Sequence, residues 1–229
     1  MTRADELAAA LTALEVRVSA ACAAAGRNRA ELVLVAVSKT RPASDVQTLR
    51  DLGVRDFGES RDQEAKRKAA QVPGVRWHFV GALQRNKSGS VASYADVVHS
   101  VDRPALVTGL SVGAVRAGRE LDVLVQVSLD GDAARAGAQA PEVPALADAV
   151  AAAPGLRLRG VMAIVPRRAD PSAAFAMLYD IAQGVRGDHP QAGAISAGMT
   201  GDLEPAVAAG ATYLRVGTAL FGSRPPPLR

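Results

Sequence analysis

Cysteine is nearly missing from this chain. Its single thiol, Cys22, cannot close an internal disulfide, and nothing else points to an oxidising compartment. Aromatic residues are scarce as well, at 3% of the chain, so Ala, Val and Leu must fill the core. That scarcity also removes the aromatic platform on which many nucleic-acid binders stack bases. The three histidines, His78, His99 and His189, lie far apart, with no ligand spacing beside cysteine or carboxylate, so no metal site is expected. Asp5 and Glu6 interrupt the N-terminus, which lacks the apolar segment of a secretory signal. No run approaches the roughly 18–20 apolar residues of a membrane span. The glycine fingerprint of dinucleotide-binding sheets, GxGxxG after a first strand, is also absent. The expectation is a cytoplasmic protein with no membrane or nucleic-acid partner. Its net charge of +4 is spread along mixed-sign segments. Lys66, Arg67 and Lys68 stand among acids and read as a solvated helix face.

What is present is alternation. With 229 residues, 48% of them hydrophobic, the chain suits one globular domain spanning 1–229. Leu7, Leu11, Leu14 and Val18 recur at helical intervals and predict an extra N-terminal helix over 3–25, closed by Gly26 and Asn28. Strands are predicted at 32–39, 54–58, 75–80, 96–100, 121–127, 158–164, 194–196 and 213–216. Helices fill the intervals at 42–52, 59–71, 83–94, 104–117, 141–153, 171–185 and 203–209. The last six residues, RPPPLR, read as an extended mobile tail over 224–229. Strict β–α alternation implies parallel strands with right-handed crossovers. Eight such units match a single (β/α)8 TIM barrel in the α/β class.

The chemistry gathers at one end of that barrel. The run LVLVAVSK over 32–39 is a buried strand that delivers Lys39 to its carboxyl end, where barrels bind ligands. An amine there is a candidate Schiff-base nucleophile, with a solvated strand cap as the plain alternative. The seventh and eighth strands run into SAGMTGD and RVGTALFG. Loops after these strands commonly cradle phosphate, because glycines let backbone N–H groups approach and helix starts carry partial positive charge. Ser196, Thr200 and Thr218 would add hydroxyl donors, although ordinary helix caps use the same residues. Arg215 shares a strand face with Tyr213 and Gly217, while Leu214 and Val216 take the other. An arginine facing into a barrel mouth needs a partner. Amine, phosphate cradle and arginine together suit a phosphorylated aldehyde, and pyridoxal 5'-phosphate meets the description.

These motifs resemble a known family. AVSKTRPASDV, FGES followed by Gln63, WHFVGALQRNK over 77–87, Arg159 to Met162, SAGMTGD and LRVGTALFG are similar to segments of the pyridoxal phosphate homeostasis proteins. Those are single-barrel relatives of the N-terminal domain of alanine racemase, of fold type III but without its C-terminal β domain. The likeness covers essentially the whole chain. It implies that Lys39 carries the cofactor as an internal aldimine, and that Ser196, Thr200, Gly217 and Thr218 hold the phosphate. It implies further that Arg215 faces the pyridine nitrogen and that His78, Asn86 and Met162 lie around the mouth. Ser60, Ala82, Ala197 and Thr200 depart from the residues common in the family. Thr200 keeps the hydroxyl that serine supplies there, so phosphate binding should survive.

The expected role is a carrier of pyridoxal phosphate in vitamin B6 and amino-acid homeostasis, with no catalytic residue assigned. An arginine can only donate to the ring nitrogen, which leaves the pyridine unprotonated and a weaker electron sink. The second β domain that brings a catalytic tyrosine to racemases is expected to be absent. Transient contact with apo-enzymes requiring the cofactor is the expected protein partnership, and a monomer the expected state. A small amino-acid racemase and a class I aldolase remain as alternatives. Assays with amino-acid enantiomers separate the first, and a yellow, borohydride-sensitive band separates the second.

Overall fold

Short parallel strands with buried apolar runs can satisfy their backbones only side by side, and here they close on themselves. The computed structural model describes residues 1–132, 135–166 and 168–223. Eight strands form a closed barrel in chain order: β1 Val33–Val37, β2 Asp56–Glu59, β3 Arg76–Phe79, β4 Val97–Val101, β5 Leu121–Val127, β6 Leu156–Ala163, β7 Ala194–Ser196 and β8 Tyr213–Val216. Every neighbouring pair is parallel, including β1 with β8. The helices are α1 Arg3–Ala24, α2 Ala43–Asp51, α3 Asp62–Gln71, α4 Ser88–Ala92, α5 Pro104–Arg116, α6 Val143–Ala152, α7 Pro171–Asp188, α8 Leu203–Ala208 and α9 Thr218–Phe221. The (β/α)8 fold with an extra N-terminal helix is therefore as expected. The tail predicted over 224–229 lies outside the described residues.

Period-two alternation divides the core. Outward-facing residues such as Leu34, Val98, Val123, Leu214 and Val216 meet the helices in one continuous apolar layer. Inward-facing Val35, Val97, Leu124, Met162 and Tyr213 form a separate cluster within the barrel. The interior is a packed core, as in other (β/α)8 barrels.

Several boundaries shift by a few residues from the sequence reading; Glu59, predicted to open a helix over 59–71, instead closes β2, and α3 begins at Asp62. β1 ends at Val37, which leaves Ser38 and Lys39 just beyond the strand. The helix predicted over 83–94 is a 3-10 turn at Arg85–Lys87 followed by the five-residue α4. β6 begins at Leu156 and bulges at Gly160, where φ is +146° and an added Cβ would meet the Ala194 carbonyl oxygen at 1.9 Å.

The apolar-run count also passed over α1. By length and composition α1 could cross a membrane, although Glu15 and Arg17 interrupt its apolar residues. It packs instead against α2, α8 and α9, burying Leu7, Leu14, Val18, Ala21 and Cys22. Its charges are paired: Arg3 with Asp45, Glu15 with Arg29, and Arg17 with Glu204.

Candidate functional site at the barrel mouth

Lys39 sits in a turn held from below. The Ser38 N–H donates to the Gly58 carbonyl, and the Arg41 N–H to the Ser38 carbonyl. Thr40 takes a left-handed conformation (φ 66°), which is unfavourable for a β-branched residue. Its N–H donates to Glu64 Oε1 at 2.6 Å, which holds the turn in place. Beneath lies a buried ion cluster. Lys68 Nζ donates to the Ser38 carbonyl at 2.7 Å, to Glu59 Oε1 at 2.6 Å and to Glu64 Oε1 at 2.8 Å. The Ser38 hydroxyl donates to the same Glu59 oxygen at 2.7 Å. Burial pushes the Glu59 carboxyl up from its ordinary value, against the opposing pull of Lys68 and Ser38. Lys68 is thus no solvated residue. Lys66 and Arg67 are exposed as expected, but Lys68 shares the inward face of α3 with Ala65.

Across the mouth, β7 and β8 supply the facing wall. Gly198 adopts φ +85°, and an added Cβ would meet the Ala206 Cβ at 2.6 Å, so this close turn requires glycine. Asp202 Oδ1 accepts from the Met199 N–H at 2.6 Å and fixes the loop. Thr200 Oγ1 accepts from the Ala219 N–H at 3.3 Å, joining this loop to the start of α9. Arg17 reaches over from α1, bonding Glu204 with two nitrogens at 2.6 and 2.7 Å and the Thr200 carbonyl at 2.8 Å. This bridge is solvent-exposed. Arg17→Ala is accordingly expected to lower stability by only about 1 kcal/mol or less in thermal melts. Arg17 holds the Glu204 carboxyl below its ordinary value of 4.5. The bridge therefore contributes above that value and is lost as pH falls through the depressed one. A loss of several kcal/mol, or one independent of acid pH, would contradict this account.

A cavity of about 260 Å³ opens between these walls. Its lining includes Val37, Lys39, Arg41, Thr200, Gly201, Arg215, Gly217 and Thr218, with Ile164 and Met199 on the rim. Three cationic side chains face it, and no acidic residue does among the described residues. A larger groove of about 860 Å³ lies on the flank between α4 and α5, away from the carboxyl ends of the strands, and its surface is mostly apolar. Among the described residues no group of three or more His, Cys, Asp or Glu is placed to hold a metal ion.

Five of the residues singled out from the sequence, Lys39, Thr200, Arg215, Gly217 and Thr218, therefore line one cavity. Four do not. Ser196 is fully buried behind Arg215, off the cavity wall, and its oxygen contacts Arg215 Nη1 at 2.6 Å and His99 Nδ1 at 2.8 Å. His78 lies inside the barrel, bonded to His99 and to Asp56, the first residue of β2. Met162 belongs to the interior cluster. Asn86 is exposed on the 3-10 turn after β3 and is not part of the cavity lining. Spacing along the chain could not separate a mouth residue from one a single strand layer deeper. The sequence assigns no role at the site to Glu59, Glu64, His99 and Asp56. The one available signal was the i, i+4 spacing of Glu64 and Lys68, a pairing distance on a helix.

Burial and charge shape the electrostatics here. Burial brings the Arg215 guanidinium down to about 10, and its hydrogen bonds go to neutral acceptors, Ser196 Oγ and the Ala163 carbonyl at 2.8 Å. The site therefore holds a buried positive charge without a contacting carboxylate among the described residues, an arrangement that favours an anionic ligand.

Known proteins share this architecture. The family model described as alanine racemase, N-terminal domain, matches residues 10–225. A Mycobacterium tuberculosis protein named pyridoxal phosphate homeostasis protein is 45% identical, covering 97% of this chain and 94% of its own. The Escherichia coli protein of the same name is 38% identical, with coverage of 96% and 97%. Among solved structures, PipY of Synechococcus elongatus with PLP bound superposes with a TM-score of 0.77 at 36% identity, covering 84% of this chain and 93% of that one. The chain thus belongs to the pyridoxal phosphate homeostasis protein family, built on the alanine racemase N-terminal domain.

Proposed function

We propose that this protein binds pyridoxal 5'-phosphate at the barrel mouth, as a Schiff base on Lys39, and serves cofactor and amino-acid homeostasis without robust turnover. One observation carries the reading: a single small cavity brings an amine, two threonine hydroxyls, a glycine-bearing helix start and a buried arginine onto facing walls with no acid among them. That donor set suits a ligand with an aldehyde at one end and a dianion at the other. The Lys39 nitrogen would condense with the aldehyde, forming C=N and releasing water. Thr200, Thr218 and the backbone around Gly217 would hold the phosphate. The names of the M. tuberculosis and E. coli relatives, and the PLP bound in PipY, agree with this ligand.

The bound cofactor supplies an electrophilic ring that can stabilise a carbanion. This chain's residues restrain that capacity. Arg215 is donor-only, so it cannot serve a protonated ring nitrogen. The cavity lining includes no Tyr, His, Asp, Glu or Cys among the described residues, which leaves Lys39 as its strongest base. Tyr213, the tyrosine on β8, packs edge-on against His78 and His99 inside the barrel. Transient contact with apo-enzymes, by a monomer, would take place at this same mouth, whose rim exposes Ile164 and Met199.

The racemase alternative draws on the alanine racemase match, and sustained turnover of amino-acid enantiomers would favour it. The direct test is borohydride reduction of the protein loaded with pyridoxal phosphate, followed by peptide mapping. The chain has only four lysines, Lys39, Lys66, Lys68 and Lys87, so assignment is unambiguous. One adduct on the peptide containing Lys39 is expected. An adduct confined to Lys66 or Lys87 would remove the reading.

A further inference from the structure

A continuous line of hydrogen bonds crosses the barrel interior. Arg215 on β8 bonds Ser196 Oγ, at the end of β7, at 2.6 Å. Ser196 Oγ lies 2.8 Å from His99 Nδ1 on β4. His99 Nε2 lies 2.8 Å from His78 Nδ1 on β3. His78 Nε2 lies 2.9 Å from Asp56 Oδ1, which opens β2 at the opposite rim. Ser196, His78 and His99 are fully or almost fully buried, and Asp56 is partly exposed. A barrel interior is ordinarily apolar, so five polar side chains in series are costly unless each finds its partner.

The two ends fix the direction of the protons. A guanidinium can only donate and an ionised carboxylate can only accept. Ser196 Oγ must therefore accept from Arg215, which leaves its own O–H to donate to His99 Nδ1. His99 then carries its proton on Nε2 and donates to His78 Nδ1. His78 in turn carries its proton on Nε2 and donates to Asp56. Every bond is satisfied with both rings neutral. The reverse tautomers would turn a bare His78 Nε2 lone pair toward a carboxylate. Burial holds both imidazoles below their ordinary value, His99 furthest, which agrees with neutral rings. The other charged groups that bear on the pair are Arg76, Asp96 and Arg215, and Asp122 and Arg159 surround the same rim.

From this geometry we infer that Asp56, His78, His99 and Ser196 form a positioning relay for Arg215. Asp56 is the acid that terminates the relay, at the far end of the barrel from the ligand. The arginine lacks a contacting carboxylate at its own end. The chain of aligned donors extends its reach to one that stays hydrated, and so avoids placing an acid in an anion site. The inference concerns how Arg215 is held toward the ligand and in that respect rests on the function proposed above. The proton pattern itself can be read without any ligand.

Long-range 1H–15N spectra of histidine-labelled protein report each ring's tautomer. Three histidines give three patterns, and His189→Gln removes the outer one, which pairs with Asp148. Neutral Nε2–H rings are expected at both His78 and His99. In Asp56→Ala the pattern should become mixed at His78 and His99, and affinity for pyridoxal phosphate should fall roughly three- to tenfold with Lys39 still labelled. Asp56→Asn, which keeps an acceptor oxygen, should stay closer to the parent. An Nδ1–H ring or an imidazolium at either position in the parent protein would overturn the relay. So would an Asp56→Ala variant with unchanged tautomers and unchanged affinity. If the parent protein fails to bind pyridoxal phosphate while showing both Nε2–H rings, the functional reading falls and the relay stands.

Discussion

Lys39→Ala is expected to abolish the borohydride-trapped adduct and the yellow absorbance of the loaded protein, and to weaken retention of pyridoxal phosphate by about a hundredfold, or 2.7 kcal/mol. The size of the effect follows from what remains. Thr200, Thr218 and Arg215 still face the cavity, so anion binding should persist at reduced strength. What disappears is the one bond that distinguishes an aldehyde from any other small phosphate. No other lysine can substitute. Lys68 is buried with three acceptors on its ammonium group, and neither Lys66 nor Lys87 lines the cavity. Equilibrium dialysis with absorbance spectra, followed by intact-mass measurement after reduction, reads both parts of the expectation. A Lys39→Ala protein that still traps one equivalent of cofactor would sink the proposed chemistry. Unchanged retention without an adduct would reduce Lys39 to a bystander and make the site a phosphate cradle only.

Much of this site was legible from the chain because parallel barrels impose a simple geometry. Each strand ends at the same rim, so a lysine after β1 and glycine turns after β7 and β8 must converge there. Alternation along β8 correctly turned Arg215 inward and Leu214 outward. Depth along the barrel axis was not legible. A barrel's strands are staggered, so residues near the ends of β3 and β7 can sit at quite different heights. Hence His78 and Ser196, which read as mouth residues, lie in the interior. Contacts across the barrel were invisible for a related reason. His99 and Ser196 are 97 positions apart, on strands that are not neighbours, and no local pattern links them. Lys68 shows the third kind of failure. Its neighbours Lys66 and Arg67 are solvated, and charge composition alone gives no ground for treating the third cation differently. Only its position on the face of α3 that packs toward β2 makes it a buried residue.

That buried lysine leads to the largest stability effect expected. Lys68→Met should destabilise the fold by about 3–5 kcal/mol, because removing one member of a buried pair leaves the other uncompensated. Glu59 would keep only the Ser38 hydroxyl as a donor, and its second oxygen, Oε2, already has no hydrogen-bond partner among the described residues. In a domain of this size the melting temperature should drop by roughly 10 °C. The pH dependence gives the cause. Burial already raises the Glu59 carboxyl above its ordinary 4.5, and Lys68 opposes that rise. Without Lys68 the folded-state value climbs further. A carboxyl raised on folding favours the folded state fully below its unfolded value, and that contribution is lost as pH rises through the folded value. The deficit of Lys68→Met should therefore be greatest at neutral pH and shrink as the solution is acidified toward 4.5. Adding Glu59→Gln to Lys68→Met should recover most of the loss, since the fully buried charge is then removed and only the partly exposed Glu64 carboxylate remains on that side of the turn. Denaturant titrations of the two single variants and the double variant, at neutral and acid pH, measure each term. A Lys68→Met protein melting within about 2 °C of the parent, or a double variant no more stable than the single, would mean the cluster does not hold the turn. If the turn does depend on it, the same variant should also let Thr40 leave its left-handed conformation, because the Glu64 carboxylate that binds the Thr40 N–H is itself held by Lys68. Loss of pyridoxal phosphate affinity in a variant still folded at low temperature would then connect stability beneath the turn with the aim of the amine above it.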